Sequence, residues 1–88
     1  MKYIKKPIPV EAIQWNGNNY GEIREFYGKD LENIGQSTLV IDTLEGRMMC
    51  PVGSYMVQGT IGEFWAVRED IFEATYDRLG TNSYNNLM

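Results

Sequence analysis

Between residues 38 and 68 the chain meets three short turn signals, and their spacing leaves room only for short antiparallel strands. Glu45-Gly46 separates the β-branched run TLVIDT at 38–43 from a returning strand at 47–52, so residues 38–52 read as a hairpin. Pro51 puts the end of that second strand at an edge or a bulge, because proline has no N–H to give a ladder. Val52-Gly53-Ser54 turns the chain into a third strand at 55–58. Gly59-Thr60-Ile61-Gly62 then reverses it into a fourth at 63–68.

Upstream, residues 2–15 read as an extended segment whose Pro7 and Pro9 suit an edge or an irregular start. Alternation from Val10 aims Ile13 and Trp15 at the core. The cluster Asn16-Gly17-Asn18-Asn19 is a turn, and Asn18 or Asn19 is placed to cap a following helix. Tyr20, Ile23, Phe26 and Tyr27 then share one helical face, with Glu22 and Glu25 early and Gly28 as the stop. Residues 29–36 form a polar connector anchored by Leu31 and Ile34. Glu69-Asp70 ends the sheet. Residues 71–79 fit either a short helix or a last strand; Glu73 and Asp77 would repel at i, i+4 on a helix, which favours the strand.

These elements predict one α+β domain over residues 1–80. It has a small antiparallel sheet of about four to five strands, open or curled into a barrel, under one amphipathic helix in the N-terminal half. Residues 81–88 read as a flexible tail. Eighty-eight residues make one domain, small enough that its core is marginal.

The net charge of −4 argues against binding a nucleic-acid polymer, which needs a concentrated basic face. Lys2, Lys5 and Lys6 make a local basic edge, not a stripe. There is no histidine, which removes His-dependent triads, Cys–His dyads and the common zinc sites. The single cysteine, Cys50, has no intrachain disulfide partner and reads as a small buried hydrophobe. No apolar run is long enough to span a membrane, and no secretory signal is expected. The acidic pairs Glu22/Glu25, Asp30/Glu32, Glu69/Asp70 and Glu73/Asp77 lie in no apolar run that would tune them for acid/base work. The expectation is a non-enzyme with no cofactor and no metal.

Glu63-Phe64-Trp65 is the sharpest candidate site. Adjacent strand residues face opposite ways, so one ring can point outward beside the Glu63 carboxylate and stack on a planar ligand such as a nucleobase. The alternative is that both rings are packing residues under a helix or a second subunit. Met48, Met49 and Met56 supply adaptable apolar surface or core. The loop 17–21 ahead of the helix matches neither a Walker loop nor a dinucleotide fingerprint.

The early segment KKPIPVEAIQW and the later VGSYMVQGTIGEFWAVREDIFEATY resemble a family of small proteins encoded by phages and prophages of Gram-positive bacteria. The resemblance covers nearly all of residues 4–77. Ser54 stands where the family usually has an acid, and Trp65 where tyrosine is common. The family carries no assigned catalytic residues. The resemblance implies a phage accessory protein in the host cytoplasm, acting by binding. The leading expectation is a sponge that sequesters a small nucleotide-type immune signal of the host. In it Trp15, Tyr20, Phe64 and Trp65 would stack and Arg24, Arg47 or Arg68 would hold phosphate, beside Glu63. A chain this short rarely encloses a ligand cavity alone, so that reading expects a homo-oligomer. The alternatives are a protein-binding inhibitor of a host factor, and a minor virion or assembly component.

Overall fold

In the computed structural model, residues 1–4, 6–35 and 37–78 are described. The elements in chain order are β1 (Glu11–Gln14), α1 (Tyr20–Tyr27), β2 (Glu32–Ile34), β3 (Thr38–Thr43), β4 (Gly46–Pro51), β5 (Tyr55–Gln58), β6 (Phe64–Val67) and α2 (Glu69–Thr75). The strands form two antiparallel three-stranded sheets, ordered β1-β5-β6 and β2-β3-β4. Among the described residues the domain is thus α+β, with six strands and two helices. These strands make two sheets rather than one, and the two sheets do not close into a barrel. The edges β4 and β6 lie near each other, but the bridge between them is a side chain: the Ala66 N–H donates to Met48 Sδ at 3.2 Å. The thioether there accepts an edge N–H that no strand carbonyl takes.

The core lies between the sheets and α1. Trp15, Ile23, Tyr27, Leu31, Leu39, Ile41, Cys50 and Met56 are buried together, with Ile13, Tyr20, Phe26, Phe64 and Ala66 packed against them. Ile23 and Tyr27 bring the α1 stripe into this core as its periodicity requires. Gly28 ends the helix in the left-handed conformation, φ 90, its N–H donating to the Arg24 carbonyl at 2.8 Å. Asn19 occupies the N-cap but gives its side chain elsewhere. Its Nδ2 donates to the Gln14 carbonyl at 2.9 Å and its Oδ1 accepts the Asn16 N–H at 3.0 Å, tying the turn to β1.

The β3–β4 and β5–β6 hairpins are closed by the same device. In Thr43-Leu44-Glu45-Gly46 the central residues keep negative φ and Gly46 takes φ 114. In Gly59-Thr60-Ile61-Gly62 the Gly62 N–H donates to the Gly59 carbonyl at 3.1 Å and Gly62 takes φ 85. A tight turn closed by a left-handed glycine matches the twist of the flanking strands.

Three elements differ from the sequence reading. The connector at 29–36 contains β2, whose residues ENI carry no strand pattern and are all exposed; only pairing with β3 makes them a strand. Leu31 is buried as an anchor, whereas Ile34 is exposed. Residues 69–75 form α2; the sheet stops before Glu69 and Asp70 as expected, and these two residues also open that helix. Asp77 lies beyond its end, so the repulsion with Glu73 that favoured a strand never arises. α2 touches the outer face of the β1-β5-β6 sheet through Phe72, which stacks on Tyr55 at 3.8 Å and on Tyr76 at 4.9 Å. The tail at 81–88 lies outside the described residues.

Candidate functional site

A cleft opens between the two hairpin tips, where the ends of the sheets diverge. It consists of two adjoining depressions of about 310 and 320 Å3. Thr43, Leu44, Glu63 and Phe64 line both. One is completed by Tyr27, Lys29, Asp42 and Gly62, the other by Glu45, Met48 and Trp65. Each is at the small end of ligand-pocket sizes, roughly 300–1,000 Å3.

The floor is built by alternation. Gln58↔Phe64 and Met56↔Ala66 place Phe64 and Ala66 on the core face of β6, while Val57↔Trp65 places Trp65 on the other face. The Phe64 ring meets Tyr27 edge-on at 5.0 Å and Phe26 at 5.5 Å. Phe64 is therefore half core and half cleft floor. Tyr27 also completes the neighbouring wall: its hydroxyl accepts the Asp42 N–H at 2.9 Å. β2 pairs with β3 only as far as Val40, so this hydroxyl takes a donor the short strand leaves unpaired.

The polar groups of the cleft are mostly carboxylates. Asp42, Glu45 and Glu63 line it, with Lys29 as the cation, and Lys29 sits 3.6 Å from Asp42. Glu63 is drawn into its own turn: its Oε1 accepts the Ile61 N–H at 3.2 Å, and the carboxylate lies over Gly59. The rim is apolar. Leu44 is 74% exposed and Ile61 76% exposed, each at a turn tip where a polar residue would cost nothing. Met48, 40% exposed, and Met49, 61% exposed, extend this apolar surface along β4, whereas Met56 is core.

The structure brings Glu63, Phe64 and Trp65 together at the cleft and leaves the other expected site residues outside it. Trp15 is 3% exposed, and its indole N–H donates to the Ser37 carbonyl at 2.9 Å, so it presents no face to a ligand. Tyr20 is half-buried, its hydroxyl accepting the Leu31 N–H at 3.1 Å. Arg24 pairs with Asp30, Arg47 with Glu32, and Arg68 with Asp70 at 2.7 Å. The Asp30 hydrogen bond raises the pKa of Arg24, and the Arg68 hydrogen bond lowers that of Asp70. Each of the three arginines stands beside its own carboxylate. Burial pushes the Cys50 thiol up to about 11, which holds it as an unreactive thiol. Among the described residues no group of His, Cys, Asp and Glu could hold a metal ion, and no helix is long and apolar enough to cross a membrane. Sequence reasoning missed Leu44 and Ile61 as site residues and read Met48 as adaptable surface or core. A large apolar residue inside a turn signal was the sign that could have found the two tips.

No protein-family model matches the chain, nor does any curated protein or solved structure.

Proposed function

We propose that this chain is a non-catalytic binding protein that engages a protein partner through the cleft and its two apolar tips. The observation that carries this reading is the pairing of Leu44 and Ile61, both highly exposed, beside a cleft floored by Phe64 and rimmed by Met48 and Trp65. Aromatic and methionine side chains at the centre of a patch, with charge at its edge, are the composition of a protein interface. The carboxylates of Asp42, Glu45 and Glu63 select the occupant: a segment with an apolar anchor beside lysine or arginine. The resemblance to phage-encoded proteins supports a specific role, that of an accessory protein occupying a host factor in the host cytoplasm.

Sequestration of a nucleotide draws less support. Stacking groups and free phosphate-gripping groups would have to converge, and Arg24, Arg47 and Arg68 are each paired with a carboxylate while Trp15 is buried. The test uses tagged protein in extracts of the bacterial host. A protein captured by the wild type should be lost with Leu44→Asp and with Ile61→Asp at unchanged melting temperature, and its purified form should bind directly. A nucleotide released in stoichiometric amount on heating would overturn this reading, as would finding the chain as a fixed component of purified particles.

A further inference from the structure

Residues 1–10 are unlike the rest of the chain. The first six hold three of its eight cations and none of its twelve carboxylates, and the segment adds Tyr3, Ile4 and Ile8. Among its described residues no helix or strand forms, and the apolar side chains stand in solvent: Tyr3 is 88% exposed and Ile4 94% exposed. Pro7 stiffens the segment within a tight turn at Lys6-Pro7-Ile8, where the Ile8 N–H donates to the Lys6 carbonyl at 2.9 Å. An exposed basic arm carrying large apolar side chains has the chemistry that the acidic, apolar-rimmed cleft selects.

The topology sets arm and cleft at the same end of the molecule. Glu11↔Gln58 and Gln58↔Phe64 share one row across the sheet, so the arm leaves β1 at the end that carries the β5–β6 turn and the cleft floor. A two-fold axis beside that end brings each arm root close to the other copy's cleft, and one contact is then made twice. Resting on the reading of the cleft as a protein-docking site, we propose that residues 1–8 of one copy lie in the cleft of a second copy, and reciprocally. The chain is then a homodimer held by exchanged arms. Lys2 and Lys6 meet the carboxylates of Glu45 and Asp42, and Tyr3 or Ile4 anchors against Met48, Phe64 and Trp65. A host segment of the same chemistry binds by displacing the arm.

Sedimentation equilibrium of the full chain tests this. The wild type should be a dimer at ~0.05 M salt and weaken at ~0.5 M, as exposed charge pairs are screened. Lys2→Glu with Lys6→Glu should raise the dimer Kd by about tenfold or more, as should Asp42→Lys with Glu45→Lys. The chain carrying all four changes should recover most of the loss, because the charges have changed places. Tyr3→Asp with Ile4→Asp should give a monomer. A wild type that stays monomeric overturns the proposal, as does a dimer indifferent to the arm variants. A synthetic peptide of residues 1–10, titrated onto the full chain while Trp65 fluorescence is followed, separates the two claims. If the wild type is monomeric yet the peptide binds at the cleft, the dimer fails and the docking reading stands. If the peptide does not bind either, both fail.

Discussion

Gly59 and Glu63 offer a test of how the cleft's best-placed carboxylate is held. Gly59 does not adopt a left-handed conformation, so alanine is compatible with its backbone; the obstacle is the Glu63 carboxylate, which a Cβ would overlap. Gly59→Ala therefore has two opposed effects. It narrows the unfolded ensemble, stabilising the fold by about 0.4–1 kcal/mol. It also drives Glu63 out of the turn, which removes the carboxylate acceptor of the Ile61 N–H and costs about 1 kcal/mol. In the wild-type background the substitution should be neutral or destabilising by up to roughly 0.6 kcal/mol. With Glu63→Ala already present nothing blocks the Cβ, and the same substitution should stabilise by about 0.4–1 kcal/mol. The sign change is a coupling energy of about 1 kcal/mol, measurable by urea unfolding of the four proteins with tryptophan fluorescence. Equal effects of Gly59→Ala in both backgrounds would show that Glu63 does not occupy the turn.

Tyr27→Phe leaves the Asp42 N–H without its hydroxyl acceptor and should cost about 1–3 kcal/mol in urea unfolding. Phe72→Ala removes the stacks with Tyr55 and Tyr76 and should increase hydrogen exchange in residues 69–75, with smaller changes in β3. Arg47→Ala breaks an exposed ion pair with Glu32 and should shift stability by less than about 1 kcal/mol. Cys50 gives a pH dependence. Burial raises its thiol from 9.0 to about 11, so the folded state keeps a proton that the unfolded state gives up. That contribution is complete below the unfolded value and is lost as pH rises through the folded one, amounting to roughly 2–3 kcal/mol. Comparing wild type with Cys50→Ala between these pH values should show a shallower alkaline loss in the variant.

Much of the fold was legible where a local pattern coincided with a tertiary role. The α1 stripe, the inward Ile13 and Trp15, the two hairpins and the buried Cys50 all follow from periodicity and turn chemistry. β2 was not legible, because three exposed residues become a strand only through a partner. α2 was ambiguous because its residues mix strand and helix formers, and docking of Phe72 on Tyr55 decides between them. The division into two sheets was not legible, because strand periodicity does not encode which strands pair. For the site, alternation indicated that Phe64 and Trp65 face opposite ways but could not show what covers each. The arginines could be recognised as cations, yet their pairing with Asp30, Glu32 and Asp70 depends on where the chain folds back.

The cleft between the hairpin tips is proposed to receive a protein segment with an apolar anchor and basic flanks. Amide shift mapping on the 15N-labelled chain, with added peptide of residues 1–10, tests this directly. Saturable shifts are expected at residues 42–48 and 61–65, weakened by salt and abolished by Leu44→Asp. Shifts spread over the outer face of α2, or none at these residues at any peptide concentration, would contradict it.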